Sequence, residues 1–251
     1  MITQLCRLFI LGLITIHLSP LMAQDSTQAF GFIKFHYAYF LPSGDFEDRF
    51  ENANSVGGEL GFKSFGNYQL SFSGAYIFGN RVRVNNLLSD VINRNGDVID
   101  SDGELVKLTY ELRGQSYFLK VGRIFNEFLS PNPNSGMLVT AGVGYLRHRI
   151  KVDYRDGTVF QLSEDRLKGY DRLTTGIAFH QFVGYQYFGK SNLLNFYAGF
   201  EFMQAFTKNR RKYNYDSRSF DRGNKSDYFA GFRFGWVIPF RKRRSEEFYY
   251  Y

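Results

Sequence analysis

From about residue 29 to residue 240 the chain alternates apolar or aromatic side chains with small or polar ones, breaking every ten to twelve residues into a polar loop that contains Gly or Asn. Eight such segments can be counted. The last is the clearest: Tyr228, Ala230, Phe232, Phe234, Trp236, Ile238 and Phe240 share one face, while Gly231, Arg233 and Gly235 fall on the other. Successive side chains of a strand point to opposite sides, so this segment reads as a strand with one greasy face. About ten residues of such alternation, with aromatics at both ends, match a strand that crosses a bilayer in a closed barrel. The pattern predicts an all-β chain folded as an eight-stranded antiparallel up-and-down transmembrane β-barrel.

Composition agrees with one large β domain. Aromatic residues make up 19% of 251 residues, yet the mean hydropathy is only −0.31, because each lipid-facing residue is offset by a polar one facing the lumen or a loop. A predominantly apolar run, residues 8–18, follows Arg7 and precedes Ser19-Pro-Leu-Met-Ala23. That is the pattern of a secretory signal peptide over 1–23, cut after Ala23, which leaves a barrel over 24–240 and a tail over 241–251. Cys6 lies ahead of the apolar core, so the mature chain has no cysteine; disulfides, thiol catalysis and thiolate metal ligation are excluded. Loss of Arg7 takes the formal charge from +7 to +6.

The first strand, from about Ala29 to Leu41, turns Ile33, Phe35, Tyr37, Tyr39 and Leu41 outward and Lys34, His36 and Ala38 inward, and Pro42-Ser-Gly-Asp45 is expected to end it. The second brings Glu59 and Lys63 inward. Gly66-Asn67, Pro131 to Gly136 and Gly189 to Ser191 read as tight turns, with long loops at the opposite end. Short periplasmic turns and longer external loops are the asymmetry of outer-membrane barrels. Between Leu105 and Phe125 the alternation slips phase near Gly114, which predicts a β-bulge. The soluble alternative, a sandwich or lipocalin-like barrel, would turn the aromatic face inward, where eight strands leave too little room.

Phe30-Gly-Phe-Ile-Lys-Phe35, Pro42-Ser-Gly-Asp-Phe46 and Gly235-Trp-Val-Ile-Pro-Phe240 resemble the opening strand, first loop and closing strand of small OmpA/OmpX-like outer-membrane barrels, particularly those of Bacteroidetes. The resemblance covers the mature chain and rests on pattern. It departs at Arg241-Lys-Arg-Arg-Ser-Glu-Glu-Phe-Tyr-Tyr-Tyr251, which follows the closing aromatic residue, and no peptidoglycan-binding domain is present. It implies residence in the outer membrane and a non-enzymatic role as structural or accessory subunit of an envelope machine, in secretion or barrel assembly. The partners implied are membrane lipid and an envelope protein.

The strand phases collect Lys34, Glu59, Lys63, Glu111, Arg113, Glu201 and Arg233 in the lumen, with His36 and His180. Buried charges persist when paired, so these predict an ionic plug, with Glu201 and Arg233 as its best pair. His148, near the outer end of its strand with Asp153 and Asp156 close by, invites a rim hydrolase, but no nucleophile motif accompanies it and Arg147 and Arg149 flank it; no catalytic residue is assigned. A narrow pore or ligand-binding barrel is a further alternative. The carboxylates of residues 97–104 could collect Ca²⁺ but lack EF-hand spacing, so no metal and no cofactor is assigned. The last loop interleaves Lys208, Arg210, Arg211, Lys212, Arg218, Arg222 and Lys225 with Tyr213, Tyr215 and Phe220. Basic and aromatic residues together can stack on nucleic acid, but lipopolysaccharide phosphates or an acidic partner are nearer at an outer surface, and no nucleic acid is expected.

Overall fold

The structure is a computed structural model that describes residues 27–84, 87–88, 91–93, 95, 97–127, 130–154, 159, 162–189, 193–211, 213–216, 218–221 and 223–240. The expected signal peptide and tail lie outside these residues. Among the described residues the strands are β1 (Phe30–Gly44), β2 (Ala53–Lys63), β3 (Tyr68–Gly79), β4 (Asp97–Ile99), β5 (Leu105–Phe125), β6 (Gly136–Tyr154), β7 (Thr174–Phe188), β8 (Asn195–Asn209) and β9 (Asn224–Phe240), with one short helix, α1 (Glu164–Leu167). Each long strand pairs antiparallel with its neighbours in sequence; β3 bonds to β5 and β1 to β9, closing an eight-stranded up-and-down barrel. The three-residue β4 pairs only with the outer end of β5. A closed ring leaves no unpaired edge, which is the condition for a sheet to sit in lipid.

The turns at one end are short. Asn67 adopts φ 62° in the β2–β3 turn, a left-handed conformation that Asn tolerates, and the Ser64 amide donates to the Tyr68 carbonyl at 2.8 Å. Gly136 opens β6 at φ 150°, where an added Cβ would stand 2.2 Å from the Phe125 carbonyl oxygen. Three expectations about strand shape need correction or extension. First, there is no bulge at Gly114: the β5–β6 ladder runs in unbroken register from Leu108↔Tyr154 to Phe125↔Met137. Second, β1 does not stop at Pro42 but continues to Gly44, opposite Asp227. Pro42 is accommodated because β2 ends its pairing at Phe40↔Ala53, so the strand has only β9 beside it there. Third, β4 and α1 give regular structure to two of the expected long loops.

The apparent phase slip at Gly114 has a physical origin. Around the middle of the barrel, outward positions are apolar (Phe35, Leu60, Phe72, Leu119, Val143, Phe200), and inward ones are polar. Nearer the loops, polarity inverts: Leu112, Leu146, Ile150 and Phe229 point in, joined by Phe46, Phe50, Leu88, Leu162 and Tyr170 from the loops, while Gln115, Arg147 and Arg149 point out. The strands therefore pass from a zone with an apolar outer face to one with a polar outer face, where the barrel encloses its own hydrophobic core. At the opposite end a second cluster, including Phe30, Phe32, Ile124, Phe182 and Phe188, closes the floor. The interior is apolar, ionic and apolar from bottom to top.

Candidate functional site

The ionic middle is built by register. Lys34 on β1 lies opposite Glu59 on β2, and its Nζ stands 3.3 Å from Glu59 Oε1. Lys120 from β5 donates to the other carboxylate oxygen at 2.6 Å. The Lys34 ammonium also donates to Gln69 Oε1 at 2.9 Å and Gln186 Oε1 at 3.3 Å. Across the lumen, Arg233 Nη2 donates to Glu201 Oε1 at 2.5 Å, from positions two residues apart on the β8–β9 ladder. His180 Nε2 is 2.8 Å from the same oxygen, off the line of a hydrogen bond. Three cations and two carboxylates, each at most 6% exposed, thus occupy one level of the barrel.

Two expected members of this network stand elsewhere. Glu111 and Arg113 bond each other on the outer wall, above the apolar belt, and Arg113 leans on the outward Tyr76 ring. Their burial is intermediate, whereas their neighbours Leu112 and Gly114 point in. A third, Lys63, is buried but belongs to the floor, donating to the Gln28 carbonyl at 3.0 Å and Asn134 Oδ1 at 2.9 Å. Sequence reasoning missed Lys120, although its place between the outward Leu119 and Val121 marks it as inward.

A second network, also missed, locks the top. Arg49 of the β1–β2 loop reaches down to donate to Asp227 Oδ1 and Thr174 Oγ1, both at 3.0 Å. Asp227 Oδ2 accepts from Thr207 Oγ1 at 2.7 Å and meets His148 Nε2 at 2.9 Å. His148 is 1% exposed, with the Phe46 and Phe50 rings 5.0 and 6.0 Å away. The histidine that suggested a rim hydrolase is a packed interior group, held by Asp227 and flanked by the Phe46 and Phe50 rings.

The basic last loop is partly neutralised. Arg211 forks onto Asp171 at 2.8 and 2.5 Å, and these bonds raise its pKa. Lys225 pairs with Asp221 at 2.9 Å. Burial pushes the Asp221 carboxyl up, but the bond and charge of Lys225 outweigh it and hold it below its ordinary value. Arg210 Nε donates to Thr175 Oγ1 at 2.5 Å. Lys208 and Arg218 are exposed, and Lys212 and Arg222 lie outside the described residues. The loop aromatics pack edge to face, Tyr213 with Phe220 at 5.2 Å and Tyr215 with Tyr170 at 5.4 Å. In the acidic 97–104 segment, Asp100 Oδ1 accepts from the Asp102 and Glu104 amides at 2.9 and 2.8 Å, capping its own turn. Among the described residues no cluster of His, Cys, Asp and Glu is arranged to hold a metal.

No family model matches the chain. No curated protein matches it either. Solved structures do resemble it in fold. Ail, the attachment invasion locus protein of Yersinia pestis, determined with the heparin analogue sucrose octasulfate, is 8% identical over 84% of this chain and 99% of its own, with a TM-score of 0.42. Neisserial surface protein A is 12% identical over 82% and 98%, with a TM-score of 0.36. The outer membrane protein OprG from Pseudomonas aeruginosa is 11% identical over 86% and 99%, with a TM-score of 0.35. These neighbours are small eight-stranded outer-membrane β-barrels.

Proposed function

We propose that this chain is an integral, non-enzymatic barrel of the bacterial outer membrane whose work is done on its outer surface. The observation that carries the reading is the filled interior: an ionic layer between two apolar clusters, with loop residues Phe46 and Phe50 packed over the top. An eight-strand barrel filled by side chains has no aqueous channel and no ligand chamber. The apolar outer belt supports residence in a bilayer, because a continuous exposed apolar surface of this extent needs covering. The burial of His148 against Asp227 weighs against the hydrolase alternative, which rested on that residue at the rim.

What remains to act are the loops, the charged collar and the 241–251 tail. Docking an envelope partner, such as a secretion or barrel-assembly machine, is the use the resemblance to Bacteroidetes barrels suggests, by analogy of fold rather than by geometry. The test is native purification of the full chain from membranes. Arg218→Gln, or deletion of 241–251, is expected to release a co-purifying partner while the barrel keeps its heat-dependent gel mobility. If His148→Ala reproduces the null phenotype with every partner still bound, the docking reading fails.

A further inference from the structure

The outer wall carries a row of side chains set by strand register. Tyr117, Tyr145, Ile177 and Phe206 are consecutive partners across β5, β6, β7 and β8, and all four are exposed. One outward position closer to the loops, about 7 Å along the strands, the partners are Gln115, Arg147, Thr175 and Lys208. Arg210 lays its guanidinium on Thr175, so cations continue across that strand too. The next outward pair is Arg113 and Arg149, followed by Glu111 and Lys151. Tyr76, Arg113, Gln115, Arg147, Arg149 and Lys151 line an open groove of about 340 Å³.

Some of this charge is balanced. Arg113 bonds Glu111, Lys151 lies 2.8 Å from Asp153, and Arg149 stands 4.0 Å from an Asp171 already held by Arg211. Arg147 and Lys208 have no carboxylate within ion-pairing distance among the described residues, and Arg210 spends its bond on a neutral hydroxyl. A basic belt with surplus charge therefore begins one step above the aromatic row that marks the edge of the hydrocarbon. A soluble protein approaching from outside meets the loops first; the groups that lie beside this belt are lipid headgroups.

We propose that the groove and belt of Arg113, Arg147, Arg149, Lys151, Lys208 and Arg210 bind the phosphates of an anionic outer-leaflet lipid, with acyl chains descending over Tyr117 and Tyr145. The planar guanidinium fork suits two phosphate oxygens at once. The proposal rests on the outer-membrane reading of the barrel, and retention of heat-dependent gel mobility separates failure of the one from failure of the other.

The test uses the chain folded in zwitterionic micelles, with lipid A as probe and inorganic phosphate as a separate arm. Wild-type protein is expected to bind lipid A, more weakly as salt rises. Arg147→Gln with Arg149→Gln is expected to weaken binding by roughly tenfold or more. Arg81→Gln with Arg83→Gln, whose cations pair with Glu51 and Glu47, is expected to leave binding unchanged. Unchanged lipid A affinity in the Arg147/Arg149 variant overturns the proposal, as does inorganic phosphate that displaces lipid A at equal concentration. Should the double variant lose its heat shift, Arg147→Gln alone and the salt dependence of the wild type decide it.

Discussion

Glu59 is the residue on which the ionic layer depends most. It holds both Lys34 and Lys120, so Glu59→Gln leaves two ammonium groups at that level facing Glu201, which already holds Arg233 on the far side. Breaking a buried pair from one side costs roughly 3–5 kcal/mol, and a loss of that size is expected in urea unfolding from vesicles, followed by the single Trp236. The pair across the lumen gives a cycle: Glu201→Gln and Arg233→Met should each destabilise, and the double replacement should recover much of the loss, whereas additive losses would mean that the two side chains do not meet. At the top, Asp227→Asn is expected to loosen Arg49, Thr207 and His148 together. His148→Ala should then behave as a packing variant, lowering stability without removing an activity.

At the scale of the strand, inward and outward faces were legible wherever the alternation was apolar against polar. Tyr228 to Phe240 and Ile33 to Leu41 are oriented as read, with Lys34, Glu59, Glu201 and Arg233 inside. The reading failed above Gly114 because it assumed that apolar means outward along the whole strand. Past the apolar outer belt the rule reverses, so alternation alone places Glu111 and Arg113 in the lumen and a bulge in an unbroken strand. Arg49 and Asp227 were illegible for another reason: they lie 178 residues apart, and only closure of the barrel brings the first loop over β9. That closure makes a prediction for the loop. Replacing Phe46 and Phe50 with Ser should expose the β1–β2 loop to protease, since both rings are fully buried, while the barrel's heat-dependent mobility persists. Equal protease resistance in variant and wild type would mean that the loop is held by something other than these rings.

For the whole molecule, closure, strand number and the asymmetry of turns and loops could be read from rhythm, because each is a local consequence of alternation and turn chemistry. The layering of the interior could not, since it depends on which inward residues share a level, and level is set by register around the ring. The layering is nevertheless what the proposal of an outer-surface role rests on: side chains occupy the barrel from the Phe30 and Phe188 floor, through the Glu59 and Glu201 layer, to the Phe46 and Phe229 roof. Conductance across a planar bilayer containing the folded chain tests this most directly. The sealed barrel should give no current above the bare bilayer at any applied voltage that the membrane survives; a steady, stepwise current carried by the wild-type chain would contradict it.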